Sequence, residues 1–314
     1  MKNKRFQNIE DFRLVKNAIQ FSKERSLPGF GGISIYNVLE FFTSSISQGT
    51  ISVRASSVAF NFFLGIFPAI IFFFTLIPYI PIQNFQIELL DLIKDVTPDF
   101  AYETIETTIT DIAVNKRASL LSFGFLSALY FSTKGINSLI VAFNATALEL
   151  RSRKWLNQQL ISIFLTLLMV SLVSVAVFLI TITEPLLNFM VEKKMMMIDL
   201  VYYLVIVGKW IVVFALFLFS ISTVYYYAPA SKEDWKFLSS GSVLATVLSI
   251  IISVGFAFYV SNFGQYNKLY GSLGTLIVIL MWFYLNAFVI ILGFELNVSI
   301  KNAKFKKSKT MITS

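Results

Sequence analysis

The feature that most limits the fold of this chain is a long stretch without charge near its C-terminus. From Leu273 to Phe294 the sequence contains neither a charged residue nor a proline. A helix over this stretch would rise ~33 Å at ~1.5 Å per residue, which is about the thickness of the hydrocarbon core of a bilayer. Glu295 and Asn297 follow directly. This pattern is typical of a membrane-spanning helix with a polar end.

The composition extends this interpretation to the whole chain. Of its 314 residues, 56% are apolar and only 14% are charged, whereas soluble domains carry about a quarter charged residues. Five further apolar stretches precede the last one. The sequence therefore predicts an all-α polytopic membrane protein with six transmembrane helices and additional interfacial or amphipathic helices. The predicted spans cover residues 51–80, 120–148, 156–183, 198–224, 237–262 and 272–296.

Three segments lie outside the predicted spans. Residues 1–50 form a cytoplasmic N-terminal segment, in which apolar residues at helical spacing predict an amphipathic helix near Phe12–Ile19 and an interfacial helix over 35–47. Residues 82–118 form an acidic outer loop, and 298–314 a basic cytoplasmic tail. Lysine and arginine are concentrated in the N-terminal segment, in 151–154, in 232–236 and in the tail. This distribution predicts that both termini are cytoplasmic.

The absence of two residue types excludes several kinds of chemistry. The chain has no cysteine and no histidine, which rules out disulfides, thiolate or imidazole catalysis and His/Cys metal sites. We therefore expect no catalytic residues, no metal, no cofactor and no enzymatic activity. The net charge of +8 does not predict nucleic-acid binding, because the basic residues lie mainly at helix ends, where they attract anionic lipid.

Two lysines, Lys134 and Lys209, fall well inside predicted spans. A charge at such a depth costs roughly 2.5–3.5 kcal/mol on insertion scales, and no acidic residue lies at a matching depth. Either the lysines bond to backbone carbonyls or stay neutral, or they line a polar cavity that receives an anionic group. In the second interpretation Asn61 and Asn144 contribute to the same anion site.

Other polar residues lie at span ends or along one span. Arg54 and Glu295 both fall at the cytoplasmic boundary, where a pair between them would act as a structural tie or as a gate. The fifth span carries a stripe of small polar residues, which either packs against another helix or lines a conduit. The stripe consists of Ser239, Ser242, Thr246, Ser249 and Ser253.

Three segments resemble the YihY/BrkB family of bacterial inner-membrane proteins. They are Arg54–Phe60 followed by Phe67 and Pro68, Asn144 followed by Glu149–Trp155, and Tyr259–Tyr266 followed by Tyr270–Gly274, Trp282, Tyr284 and Gly293–Asn297. The resemblance implies six spans and a bacterial cytoplasmic membrane, with structural roles for Pro68, Tyr270, Gly271, Gly274 and Asn297. Phe60 stands where the family usually has tyrosine and Phe294 where it has a small residue, and Lys134 belongs to no motif.

Members of this family have carried the label ribonuclease BN, which this sequence does not favour. A metal-dependent nuclease needs clustered acids or histidines, and the cytoplasmic segments offer only scattered acids. We expect instead a transporter or facilitator of an anionic or amphiphilic envelope substrate, of which a lipid is one option. The alternative is a non-transporting scaffold for an envelope assembly. The expected partners are membrane lipids, and the sequence leaves a homo-oligomer open.

Overall fold

The computed structural model describes residues 13–47, 50–79, 115–146, 153–192, 198–230, 235–262 and 272–313. Within these ranges the chain forms α-helices, one short 3-10 turn and no strand, which confirms the predicted all-α fold. The α-helices are α1 (Arg13–Glu24), α2 (Ile35–Ser47), α3 (Thr50–Leu76), α4 (Ala118–Asn144), α5 (Trp155–Glu192), α6 (Ile198–Tyr227), α7 (Ser240–Asn262) and α8 (Ser272–Thr313).

Helices α3 to α8 are each long and apolar enough to cross a membrane, as the sequence predicts. Two of them extend beyond the predicted spans by more than two turns. Helix α5 continues through Pro185 to Glu192, and α8 continues through the basic tail to Thr313. The tail is therefore helical rather than a loose extension. Most of the predicted acidic loop, 82–118, lies outside the described residues.

Helix α2 packs against residues 296–303 of α8, and α1 packs against α2. Val38 of α2 and Ile33 before it are buried together with Leu296 and Ala303 of α8. The connection from α1 turns sharply at Gly29, which has a φ of +92° that other residues rarely adopt. Both terminal segments of the described chain therefore lie at one end of the bundle. We call the half of the bundle at this end the terminal half.

The six long helices pack in chain order around a ring. Each contacts the next, from α3 to α8, and α8 closes the ring against α3. Helices α3 and α4 stay close along their length, because Gly124 lies against the backbone of Phe72 and Gly135 against the ring of Phe62. This pair of helices gives the ring one continuous, tightly packed side.

The hydrophobic core fills the terminal half. Its centre is an aromatic group in which the Phe294 ring stacks on Phe143 at 4.3 Å and on Trp235 at 5.1 Å, with Tyr225 packed edge-on. Phe294, which replaces the family's small residue, thus fills the middle of the core. Buried residues from every long helix surround it: Ile51, Ala55, Val58, Ile140, Leu165, Val224, Ala245 and Ile291.

The other half of the ring is not packed in this way. None of the described residues 167–182 of α5, 203–219 of α6, 250–260 of α7 or 276–286 of α8 is buried. We call these four segments the open half. Their side chains are almost all apolar, and many are exposed, as with Val173, Val175 and Val177 of α5, whereas Leu172 and Leu179 on one face are only half-buried. Apolar side chains are thus the surface that these helices present to one another and to the bilayer.

Candidate functional site

The predicted pair Arg54–Glu295 lies at the mouth of the terminal half. A guanidinium nitrogen of Arg54 is 2.6 Å from Oε1 of Glu295, and the Arg54 side chain is 15% exposed against 1% for Glu295. Thr146, just after α4, accepts a hydrogen bond from Arg54 and donates its hydroxyl to the same Oε1 at 2.8 Å. These three side chains form a clamp between α3, α4 and α8.

Arg54 uses all of its donors within the protein. Besides Glu295 and Thr146, its guanidinium donates to the carbonyl of Ala142 at 2.8 Å and to both oxygens of Thr50. A guanidinium has five N–H donors, and each has a partner here. Arg54 therefore has no donor left with which to bind an anionic substrate in this conformation. This favours the structural tie among the roles that the sequence leaves open.

Glu295 is less completely paired than Arg54. Its Oε1 accepts two hydrogen bonds, whereas its Oε2 is buried without a hydrogen-bond partner. Leaving a buried acceptor unsatisfied costs roughly 1–3 kcal/mol, and more for a charged group. The negative charge of Glu295 is therefore supported from one side, by Arg54.

A second clamp holds the C-terminal end of α6. Arg153, which precedes α5, donates to the backbone carbonyls of Tyr227, Ala228 and Pro229. Cationic groups stabilise the carbonyls that a helix leaves unpaired at its C-terminus. Asn144, at the end of α4, accepts a hydrogen bond from the N–H of Ala230 at 3.0 Å. Partial burial lowers the pKa of Arg153, but an arginine remains charged at neutral pH.

A third clamp joins α8 to the N-terminal end of α7. The side-chain oxygen of Asn297 accepts from the N–H of Gly241 at 2.8 Å, and its amide donates to Ser239 at 2.8 Å. The backbones touch one turn away, since a Cβ on Gly241 would clash with the carbonyl oxygen of Gly293. Asn297 thus satisfies an N–H that the first turn of a helix leaves free.

The buried part of the fifth-span stripe lies in the terminal half. Ser242, Thr246 and Ser249 are each fully buried on α7, which packs against α8. Of the two interpretations of the stripe, helix packing is the one that applies in the terminal half. Ser253, further along, lies in the open half and is partly exposed.

Together the three clamps connect all six long helices at the terminal half. Each motif that resembles the family supplies part of them: Arg54 comes from the first, Asn144 and Arg153 from the second, and Glu295 and Asn297 from the third. Thr146 and Gly241 were missed by the sequence analysis. Their roles depend on helix register, although a glycine just inside the start of a span is a signal of close packing.

Lys134 lies on an exposed stripe of α4. Its ammonium is 5.4 Å from the centre of the Tyr130 ring, and Leu126, Tyr130 and Val141 on the same face are all more than half exposed. One turn further on, Asn137 accepts a hydrogen bond from Gln158 of α5 at 2.7 Å. Lys134 is therefore at the boundary between α4 and α5, ~15 Å from the end of α4.

Lys209 lies in the open half on α6. Its ammonium is 5.6 Å from the centre of the Trp210 ring, and its side chain is partly exposed. No ion pair between either lysine and an acidic residue occurs in the described ranges. Cation–π contacts with tyrosine and tryptophan partly compensate a charge in apolar surroundings.

The remaining predicted residues lie apart from the three clamps and from the two lysines. The amide of Asn61 donates to the carbonyl of Ser57 on its own helix. None of these contacts joins two of the four residues predicted for the anion site, so the structure does not assemble Lys134, Lys209, Asn61 and Asn144 into one cluster. Pro68 lies inside α3, and Gly274 is buried on α8. Tyr270 and Gly271 lie outside the described residues.

Comparison with known proteins assigns the chain to a family. Residues 42–311 match the family described as "Virulence factor BrkB". The chain belongs to the BrkB/YihY family. It is 32% identical over 251 residues to the putative ribonuclease-like protein YfkH of Bacillus subtilis. The match covers 80% of this chain and 90% of YfkH.

Two more distant relatives match over shorter regions. A UPF0761 membrane protein of Nitrosospira multiformis is 30% identical over 86 residues, 27% of this chain and 20% of that protein. A UPF0761 membrane protein of Aeromonas salmonicida is 38% identical over 82 residues, 25% of this chain and 28% of that protein. No solved structure matches the chain. Across the described residues, no group of acidic side chains could hold a metal ion.

Proposed function

We propose that this BrkB/YihY-family membrane protein is a transporter or facilitator that moves an anionic, amphiphilic substrate, of the lipid class, between the leaflets of its membrane. The observation that carries the proposal is the contrast between the two halves of the ring. The terminal half is filled and clamped, whereas α5 to α8 in the open half present apolar side chains that no protein core covers. Acyl chains are the natural partners of such a surface.

The lysines supply the other part of the substrate chemistry. Lys134 lies beside the Asn137–Gln158 bond at the α4–α5 boundary, and Lys209 lies within the open half. A cation without a protein counter-ion, placed next to apolar surface, suits a phosphate headgroup whose tails lie on that surface. The two lysines lie at different depths, about 12 Å apart along the helix axes. We propose that they bind the headgroup in succession.

We further propose that the chain lies in the bacterial cytoplasmic membrane with both termini in the cytoplasm. The shared position of the terminal segments and the lysines of α8 support this orientation. The terminal half then faces the cytoplasm and the open half faces outward. The activity that we propose is not enzymatic.

The direct test is the movement of a fluorescent anionic phospholipid in proteoliposomes, read by chemical quenching of the outer leaflet. The intact protein should accelerate exchange. Lys134→Met and Lys209→Met should each slow it about ten- to a hundredfold, because a charge-assisted bond of roughly 1.5–3 kcal/mol is lost. Lys304→Met, an exposed lysine on the extension of α8, is the matched control and should not change the rate.

Two outcomes would contradict the proposal. Proteoliposomes with no faster exchange than protein-free vesicles, for both anionic and zwitterionic phospholipids, would remove the transport role. A stoichiometric partner that co-purifies with such an inactive protein would then favour the scaffold alternative. Equal rates for all three lysine variants and the parent protein would remove the headgroup role of Lys134 and Lys209.

A further inference from the structure

Helix α2 lies across the terminal end of the bundle rather than along it. The loop before it touches the start of α7, because a Cβ on Gly29 would clash with the side chain of Ser240. Its middle packs on α8 beside Ala303, and α3 begins at Thr50, shortly after α2 ends. Both α7 and α3 contact α8. The 13 residues of α2 span ~20 Å, about the separation of two helices that flank a third at 8–10 Å on either side. The axis of α2 therefore runs from α7 over α8 to α3, close to the plane of the membrane surface.

Helix α2 has a polar side and an apolar side that face in opposite directions. On the polar side, the carboxylate of Glu40 lies 3.8 Å from the ammonium of Lys306. On the apolar side, Leu39 and Ile46 share one face and are 46% and 39% exposed, with the half-buried Phe42 between them. Lys306 lies farther from the spans than the residues of α8 that pack on α2. The polar side is therefore directed away from the bilayer, and the apolar side toward it.

Two basic side chains lie at the N-terminal end of α2. The ammonium of Lys23 is 4.9 Å from the centre of the Tyr36 ring, and the guanidinium of Arg25 is 5.3 Å from the centre of the Phe21 ring. The backbone carbonyl of Arg25 accepts a hydrogen bond from the N–H of Ile35 at 3.0 Å, which fixes this residue beside the start of α2. Neither basic residue forms an ion pair within the described part of the chain. Phe21 is 59% exposed, so these contacts lie at the protein surface.

We propose that α2 and the end of α1 form a docking surface for anionic lipid in the leaflet at the terminal half. The docking surface consists of Phe21, Lys23, Arg25, Leu39 and Ile46. Its apolar side chains enter the boundary between headgroups and acyl chains, as in other amphipathic interfacial helices. Its two basic side chains lie at the level of the headgroups, where lysine and arginine attract and hydrogen-bond lipid phosphates.

A lipid surface fits this face better than a soluble partner, because the docking surface is continuous with the membrane-spanning surface. Only two residues separate α2 from α3, which is long and apolar enough to cross a membrane. An acidic protein or a second copy of the chain that approached from solution would first meet the polar side, which carries Glu40 and Ser44. The inference does not rest on the proposed lipid movement, since the docking surface contains neither Lys134 nor Lys209.

The depth of α2 is tested with single cysteines that carry a fluorophore, in nanodiscs of phosphatidylcholine and phosphatidylglycerol. The chain has no native cysteine. Nitroxides on the acyl chains should quench a label at Leu39→Cys about threefold more strongly than a label at Ser44→Cys, which is exposed on the polar side. Equal quenching at the two positions would overturn the proposal. A label at Leu39→Cys that neither lipid nitroxides nor aqueous iodide can quench would also overturn it, because protein would then cover this face.

The preference for anionic lipid is tested with the same label. Nitroxide-labelled phosphatidylglycerol should quench Leu39→Cys about fivefold more efficiently than nitroxide-labelled phosphatidylcholine. Adding Lys23→Gln and Arg25→Gln, both at exposed positions, should make the two lipids nearly equal while acyl-chain quenching stays strong. The control is Ile251→Cys, which is 59% exposed on α7, a helix without charged residues, and there the two lipids should quench equally in both backgrounds.

Two results of this second assay would remove the anionic partner. One is equal quenching of Leu39→Cys by the two lipids in the parent protein, and the other is a preference that survives both glutamine substitutions. Neither assay measures lipid exchange, so such results would leave the proposed lipid movement standing. A failure of exchange in proteoliposomes, conversely, would not alter the quenching at Leu39→Cys.

Discussion

The terminal half and the open half are both built from apolar helices, but only the terminal half packs into a core. In the terminal half, polar side chains at helix ends meet one another and draw all six long helices around a dense aromatic core. In the open half, α5, α6 and α7 are largely apolar and bury none of the described residues. Because lipid tails are as apolar as leucine, apolar surface alone does not hold helices together in a bilayer. Polar clamps and small residues decide where this bundle closes.

Removing the clamp formed by Arg54, Thr146 and Glu295 is the strongest test of the difference between the two halves. Arg54→Met leaves Glu295 buried and without its counter-ion, and should destabilise the protein by about 3–5 kcal/mol. Thermal unfolding in detergent should show a large fall in Tm. Lys306→Met, which removes an exposed pair with Glu40, is the control and should cost no more than about 1 kcal/mol. Equal effects of the two changes would mean that the Arg54 clamp does not stabilise the terminal half.

Core truncation should distinguish the two halves next. Ile140→Ala creates a cavity at a fully buried position and should cost about 2–5 kcal/mol. Val177→Ala on α5, where the side chain is 55% exposed, should change stability by less than about 0.5 kcal/mol. The free energy of unfolding, measured by denaturant titration in mixed micelles, checks both. A large loss from Val177→Ala would show that the open half has a core of its own.

Glycine substitutions give a sharper geometric version of the same test. Gly293→Ala would place a Cβ 2.6 Å from the carbonyl oxygen of Gly241 and should cost roughly 1–3 kcal/mol by overpacking. Gly255→Ala in the open half has no atom within 4 Å of its Cβ and should be neutral or slightly stabilising. If both variants have the same Tm as the parent protein, the close contact between α7 and α8 is absent.

The smallest effect should come from Thr146. Thr146→Val keeps the shape of the side chain and removes its hydrogen bonds to Glu295 and Arg54, which should cost about 1 kcal/mol. Thr181→Val on α5 removes only a bond to its own helix at an exposed position and should cost less. Paired melting curves of the two variants measure the difference. A stability of Thr146→Val at or above that of Thr181→Val would place Thr146 outside the clamp.

The sequence predicted the features that depend only on residue type and on position along a span. Six apolar spans follow from length and charge alone, and the Arg54–Glu295 contact follows from two opposite charges at the same boundary. The helical tail was not foreseen. Lysine-rich sequence is typical of a solvated tail, but Ile300 and Ala303 on one face pack against α2 and hold the helix.

The rest depends on how helices rotate against one another. Lys134 and Lys209 were predicted to share a polar cavity with Asn61 and Asn144, but the structure gives each its own local contact. Depth along a span can be counted from sequence, whereas the direction in which a side chain points in a helix that is apolar on all faces cannot. The same uniform apolarity was a sequence signal of the open half.

The account is tested most directly by oxygen accessibility of spin labels scanned along α6 in lipid nanodiscs. Labels placed singly at 204–214, in the open half, should all be accessible to oxygen, with the lowest values at the half-buried positions 205, 206, 208, 209 and 213. Labels at 220–225, where six consecutive residues are buried in the terminal half, should all be protected. Labels at 204–214 that are as protected as those at 220–225 would show that α6 is packed in a core along its whole length, and would contradict the division into a clamped and an open half.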